Sequence, residues 1–296
     1  MSTLVSSLQL GKKIGNGFFG DVHLGNDPVH GVVAVKVLTQ HADETTSQWE
    51  LRKQGLLKEG QRLALAAHKH VVRIHHIVEA SDQILMVMEY CSGGSLQAEY
   101  ERGPMTLADV RRIATDVTLG LQTLHTRGML HRDIKPGNLL IANGGLVQLG
   151  DFGLVTDNLV LGYGSQAGYA DHVAPEVWNG AGTSIRSDVW ALGMTLYRLL
   201  HGMSWCDEDP SPRTVVSAGG YADTLRWLPH VPKKWRRTIR QMLRDDPGSR
   251  YQNASQLISA LADLPIQPDW ECTLSAGGAT WRSKARGRKH IVEWVR

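Results

Sequence analysis

Ten consecutive residues near the middle of the chain, His131-Arg132-Asp133-Ile134-Lys135-Pro136-Gly137-Asn138-Leu139-Leu140, set an acid, a lysine and an amide close together and then run into an apolar pair. A surface acid or a helix cap would account for Asp133 taken alone. It does not account for the neighbours, or for the order of motifs on either side. Upstream stand Gly15-Asn16-Gly17-Phe18-Phe19-Gly20-Asp21-Val22 and Val33-Ala34-Val35-Lys36; downstream come Asp151-Phe152-Gly153, Ala174-Pro175-Glu176, Asp188-Val189-Trp190-Ala191-Leu192-Gly193 and Arg250. One three-residue motif arises easily by chance, whereas seven elements in a fixed order do not.

The glycine loop lies between two strand-like runs, and its glycines let backbone approach phosphate oxygens with no Cβ in the way. A plain hairpin turn is the simpler reading of that loop alone. A dinucleotide-binding loop is excluded because such a loop opens a helix, and here a valine-rich strand follows. Alternation along that strand puts Ala34 and Lys36 on one face and Val33 and Val35 on the other. A lysine so placed needs an anionic partner. Glu59 is the best candidate, on the stretch where Trp49, Leu56, Leu57, Leu63, Ala64 and Ala67 recur at helical spacing; Glu44 and Glu50 compete with it.

Two further strands are expected near Val71–Val78 and Ile84–Tyr90, followed by a break at Cys91-Ser92-Gly93-Gly94-Ser95 that suits a hinge. Helices follow. Val110, Ala114, Val117, Leu121 and Leu124 mark one amphipathic helix, Val189 to Leu200 is apolar nearly all round, and Asn253 with Gln256 opens a last helix. The chain therefore divides into a β-rich lobe over 1–90, a helical lobe over 91–264 and an extension over 265–296. With 296 residues, 42% of them hydrophobic and 21% charged, a sizeable core is affordable and a mainly disordered or fibrous chain is excluded. The net charge of +3 makes no global case for a nucleic-acid or anionic partner. Three scattered cysteines without metal-ligand spacing, no secretory start and no long apolar run lead to the expectation of a cytoplasmic protein with no membrane span.

From about Leu8 to Leu264 the motifs resemble the protein kinase superfamily, and among its members the eukaryotic-type serine/threonine kinases. The resemblance implies an α+β, bilobal kinase fold with ATP and Mg²⁺ between the lobes and a protein substrate. It implies that Asp133 orients the acceptor hydroxyl, that Lys135 steadies the phosphoryl group in transfer, and that Lys36, fixed by Glu59, holds phosphates. Asn138 and Asp151 are then the magnesium ligands, hard oxygen donors as that ion prefers. Gly15, Asn16, Gly17 and Gly20 cover the nucleotide; Val22, Ala34 and Leu140 sandwich the adenine, Met88 backs it, and backbone groups of Glu89 and Cys91 meet its edge. Leu63, Ile74, His131 and Phe152 form an apolar column anchored by Asp188, and Glu176 pairs with Arg250. His131 is thereby a core residue rather than a base.

The chain also departs from the family pattern. In Gly168-Tyr169-Ala170-Asp171-His172-Val173-Ala174-Pro175-Glu176, Tyr169 stands where the family has threonine and His172 where it has tyrosine, so the choice of acceptor is less determined than the catalysis. Arg132 beside the catalytic aspartate implies switching by a phosphorylated activation loop, and Ser165, eleven residues before Glu176, is the expected site. Between 270 and 296, six Lys/Arg oppose two acids, and Lys284 to Lys289 read as a hairpin tip between strands carrying Trp281 and Ile291–Val295. The favoured reading is a β-extension that packs its tryptophans on the kinase. The alternative is docking of nucleic acid or an acidic partner. Two rival functions are a scaffold without turnover, although no essential motif is missing, and a small-molecule phosphotransferase. The Ala174-Pro175-Glu176 and Asp188–Gly193 elements, which build a protein-substrate platform, argue against the second.

Overall fold

A computed structural model of the chain describes residues 8–17, 20–80, 82–151, 170–209, 215–216, 219–285 and 288–295. The N-terminal part is an antiparallel sheet of β1 (Gln9–Gly17), β2 (Gly20–Asp27), β3 (Gly31–Thr39), β4 (Ile74–Glu79) and β5 (Gln83–Glu89), in spatial order β1-β2-β3-β5-β4. The alternation in β3 has its physical outcome here. Val33 and Val35 are fully buried with Val87 on one face, while Ala34 and Lys36 turn to the other. Gly20 opens β2 at φ +140°, and a Cβ there would stand 2.1 Å from the Val37 carbonyl oxygen, so no larger residue lets β2 lie this close to β3.

Helix α1 (Thr46–Ala64) packs beside β4 and buries Trp49, Leu56 and Leu63. Its start is a capping box: the Thr45 hydroxyl accepts from Gln48 N–H at 3.3 Å and the Gln48 side chain accepts from Thr45 N–H at 2.8 Å. One strand begins later than the apolar spacing suggests. Val71 and Val72 belong to the connection before β4, where Val72 N–H donates to Leu149 O at 2.8 Å and Leu149 N–H to His70 O at 3.0 Å. Their apolar character serves a contact with the second lobe rather than the first sheet.

The second lobe contains α2 (Gln97–Arg102), α3 (Leu107–His125), the short hairpin β6 (Leu139–Ile141) and β7 (Val147–Leu149), then α4 (Pro175–Trp178), α5 (Ile185–His201), α6 (Met203–Cys206), α7 (Tyr221–Thr224), α8 (Lys233–Met242) and α9 (Ala254–Ala262). The expected hinge runs along β6, with Gly93 N–H donating to Ile141 O and Ile141 N–H to Gly94 O. α5 is buried nearly all round, and Gly193 permits its close approach to α8: a Cβ there would lie 2.8 Å from that of Met242. Asn253 caps α9 by accepting from Gln256 N–H at 3.0 Å, while the Gln256 side chain reaches back to Gln252 N–H. One hydrophobic core runs from α1 through α3 and α5 into the extension.

The extension is a three-stranded antiparallel sheet, β8 (Glu271–Ser275), β9 (Gly278–Ala285) and β10 (Arg288–Val295), in order β10-β9-β8. The hairpin lies where the charged tip suggested it, with Ala285 opposite Arg288; β8 carried no signal of its own. Trp281 is buried against the lobe and donates from Nε1 to His230 Nδ1 at 2.9 Å, whereas Trp294 is half exposed.

Candidate active site

The loop from His131 to Asp133 is held from below by Asp188, the fourth residue of α5. One Asp188 oxygen accepts His131 N–H at 3.0 Å and the His125 imidazole at 2.8 Å; the other accepts Arg132 N–H at 2.9 Å. Burial alone would raise the Asp188 pKa, but these donors, His125 foremost, outweigh it and hold the carboxyl below its ordinary range. The support is needed because Arg132 adopts φ +70°, in the left-handed region that side chains disfavour. His131 is fully buried. Its Nε2 lies 3.1 Å from Gly150 O, which it meets as a donor, and Nδ1 then accepts Asp133 N–H at 3.3 Å; burial lowers its pKa and keeps the ring neutral.

Above this anchor the polar groups converge. Lys135 Nζ donates to Asp133 Oδ2 at 2.8 Å, and the Asn138 amide donates to the same oxygen at 2.6 Å and to Asp133 O at 2.8 Å. With its nitrogen thus engaged on the aspartate, the Asn138 side chain offers its oxygen as the remaining donor atom for a cation. Burial depresses the Lys135 pKa despite the facing Asp133 charge. Lys36, 2% exposed, reaches across from β3 to contact the Asp151 carboxylate, and Asp151 itself sits at φ +47°. Two non-glycine residues in the left-handed region, one at each end of one polar network, are strain that surrounding bonds must hold.

These groups face a cleft of about 850 Å³ between the lobes. Gly15, Asn16, Val22 and Ala34 form its roof, Met88, Glu89 and Cys91 its back and edge, and Leu140 its floor; Lys36, Lys135, Asn138 and Asp151 line its polar end. Asp133 lies just beneath, through its bonds to Lys135 and Asn138. Gly20 does not line the cleft, and the contact with Val37 explains it instead. Gly17 pairs with Gly20 at the end of the β1–β2 hairpin. Glu59 is on α1, its side chain outside the described residues; its competitors are committed elsewhere, Glu44 to Arg52 and Glu50 to Lys53. Phe152, Ser165 and Tyr169 lie outside the described residues, and Arg132 is tied at its backbone to Asp188 below the cleft. Glu176 and Arg250 form a bidentate pair at 2.8 and 2.7 Å, with the arginine side chain fully buried.

Two features of the site gave no sequence signal, and a third stood out only as a departure from the family pattern. His125 supports Asp188 from the last turn of α3, 63 residues away. Gln148 locks the hinge from β7, donating to Lys69 O and to the Glu89 carboxylate while accepting from Cys91 Sγ. His172, in the cleft wall beside the Asp171–Arg198 pair, is buried with neither ring nitrogen hydrogen-bonded; burial, with the Arg198 and Lys135 charges, pushes its pKa well down. A second cavity of about 910 Å³, between the extension and the lobe, is rich in tryptophan and, among the described residues, has no lysine or arginine in its walls.

The model of the family described as protein kinase domain matches residues 8–260. The chain belongs to the protein kinase family. Among curated proteins this kinase chain is similar to CBL-interacting serine/threonine-protein kinase 21 of Arabidopsis thaliana, 30% identical over 273 residues that cover 90% of this chain and 61% of the relative. It is also similar to serine/threonine protein kinase OSK3 of Oryza sativa subsp. japonica, at 32% identity over 84% of this chain and 49% of the relative. A bacterial relative is the probable serine/threonine-protein kinase PknB of Lactococcus lactis, at 24% identity over 85% of this chain and 41% of that protein. The kinase chain thus spans between two-fifths and about three-fifths of the length of these relatives. Among the described residues, no helix is long and apolar enough to cross a membrane.

Proposed function

We propose that the protein transfers the γ-phosphoryl group of ATP to serine or threonine hydroxyls of protein substrates. The observation that carries this reading is the meeting of Lys36, Lys135, Asn138 and Asp151 in one cleft, with Asp133 bonded to two of them. Phosphoryl transfer asks a protein chiefly for positioning and charge neutralisation. The Val22, Ala34 and Leu140 side chains take the adenine between them. The Glu89 carbonyl and the Cys91 N–H meet its edge, because Glu89 N–H is already engaged by Arg73 O. Lys36 holds phosphate oxygens, with Glu59 as its partner from α1.

The donor set fits magnesium. Asn138 and Asp151 contribute an amide and a carboxylate oxygen, hard ligands for an ion that fills its other positions with water and phosphate. Mg²⁺, when bound, neutralises charge on the phosphate chain. Asp133 accepts the proton side of the acceptor hydroxyl, and Lys135 supplies positive charge beside it. The matched regions of named serine/threonine kinases support that acceptor class. Control by the activation loop belongs to the same reading: phosphate on Ser165 pairs with Arg132 and completes the site. Ser165→Ala should then abolish the gain in activity that phosphorylation brings to dephosphorylated enzyme.

The decisive experiment measures γ-³²P transfer to protein with Asp133→Asn. Transfer should fall by at least about 100-fold, the scale of losing a positioned base, while ATP affinity stays within about twofold. A wild-type chain that binds ATP and transfers nothing would instead favour a scaffold role.

A further inference from the structure

Positive charge is unevenly spread over the chain. Residues 233–244 contain Lys233, Lys234, Arg236, Arg237, Arg240 and Arg244 and no acid, yet all 296 residues together net only +3. α8 buries Trp235, Ile239 and Met242 completely in the core, which drives its cations to the outer side. That side is concave. All six cations line one depression of about 1020 Å³, where Asp223 is the only acid among the described residues.

The internal compensation is thin. Lys234 meets Asp263 at 3.5 Å and Arg244 meets Asp223 at 3.6 Å, with all four side chains more than 40% exposed, so solvent screens both pairs. Among the described residues, Lys233 and Arg237 have no ion-pair partner. Two guanidinium groups are set in place beforehand. Arg236 donates from Nε to Val231 O at 2.8 Å and from Nη2 to the Leu228 and Pro229 carbonyls. Arg240 donates from Nε to Ala222 O at 3.2 Å and lies 5.7 Å from the Trp227 ring centre. Such ordering lowers the entropy lost when a partner binds.

We propose that this depression docks an acidic segment of a partner protein, a run of aspartate and glutamate side chains. Charge complementarity selects an anion, and guanidinium forks match carboxylates in geometry. The shape selects the kind. The helical part of the stripe, Lys233–Met242, is about 15 Å long, the span of roughly four to five residues of extended peptide. A recessed helix cannot enter the major groove of a duplex. Among the described residues, no aromatic residue lines the depression to stack on bases, and no large apolar residue lines it to enter a bilayer. None of the six cations lines the interlobe cleft, so the docking site stands independently of the catalytic reading.

The test is fluorescence anisotropy of a labelled peptide of about twelve Glu and Asp residues with the full chain, at roughly 0.05 and 0.3 M salt. The peptide should bind at low salt and weaken about tenfold or more at high salt. K233E/R237E should weaken it by at least tenfold with an unchanged melting temperature, since both side chains are exposed. K233Q/R237Q serves if charge reversal impairs folding and should give a smaller loss in the same direction. Absence of peptide binding, or equal binding by the variants, would overturn the proposal. Tighter binding of a 20-base-pair RNA duplex or of phosphatidylserine vesicles than of the peptide, lost in the same variants, would also overturn it.

Discussion

Below the interlobe cleft, His131, Arg132, Asp133, Lys135 and Asn138 are joined to Asp188, His125 and Gly150 through backbone and side-chain bonds, most of them buried and the rest partly so. Above it, the β1–β2 hairpin has irregular register around Lys13, leaves Ile14 39% exposed and is crossed by a Lys13–Asp21 pair open to solvent on both sides. Asp133, Lys135 and Asn138, to which the proposed reaction assigns fixed positions, thus stand on the floor, where removal of one bond leaves others unsatisfied. The roof has only to cover a ligand, and its local bonds compete with water. Rigidity in this molecule follows the demand for positioning rather than proximity to the cleft.

The strongest way to break that contrast is to remove the floor's anchor. Asp188→Ala would leave two backbone N–H groups and the His125 imidazole buried without their acceptor, and would release the left-handed turn at Arg132. A loss of about 3–5 kcal/mol is expected, the scale for breaking a buried charged network. The open pair in the roof should contribute less than about 1 kcal/mol, so Lys13→Ala sets the comparison. Denaturant melts of the two variants give the result. Similar midpoints would mean that the floor is no better tied than the roof.

The same contrast governs what could be read from the sequence. The first sheet follows local rules: β3 alternation turns Lys36 away from Val35. The order of the motifs named Val22, Ala34, Lys36, Asn138, Leu140 and Asp151, which line the cleft, but also Gly20, which does not, and it left out Asp171 and Arg198, which do. The floor depends on meetings across long separations, and periodicity carries no information about those. Asp188 stood out as a motif residue, but nothing near His125 announces that it will meet Asp188 63 residues on. Val71 and Val72 look like the start of a strand because burial against β7 and burial within the first sheet demand the same side chains. β8 is short and only partly buried, so its pattern is faint.

Acid should find the helical lobe before the roof. Burial lowers the pKa of His131 and His172, and takes that of His201 to about 3. Each ring stays neutral in the folded state while its unfolded counterpart takes up a proton below about pH 6.5. Unfolded chains then bind more protons than folded ones, so stability must fall as pH drops from about 6.5, by roughly 1.4 kcal/mol per pH unit for His201, whose ring stays neutral down to about pH 3. His201→Phe keeps most of the ring volume and should flatten the slope by that amount, or about 2 kcal/mol at pH 5. Unfolding free energies at pH 7 and pH 5 would show it; an unchanged slope would mean that His201 is protonated within the fold.

Gly20→Ala probes the roof from the backbone side and should cost less stability than Asp188→Ala. The new Cβ would be forced to within 2.1 Å of Val37 O and 3.2 Å of a Leu38 methyl, at a φ that side chains avoid. β2 can relieve the clash by moving away from β3, since few side-chain bonds tie it down, so the loss should be about 1–2 kcal/mol. The movement would displace Val22, two residues on, from the roof of the cleft, where the proposed function places adenine. KM for ATP should therefore rise several-fold while kcat at saturating ATP stays within about twofold, the signature of lost uniform binding. A fall in kcat comparable to that of Asp133→Asn would show that the roof positions the reacting phosphate itself, and the division of labour between the two walls would fail.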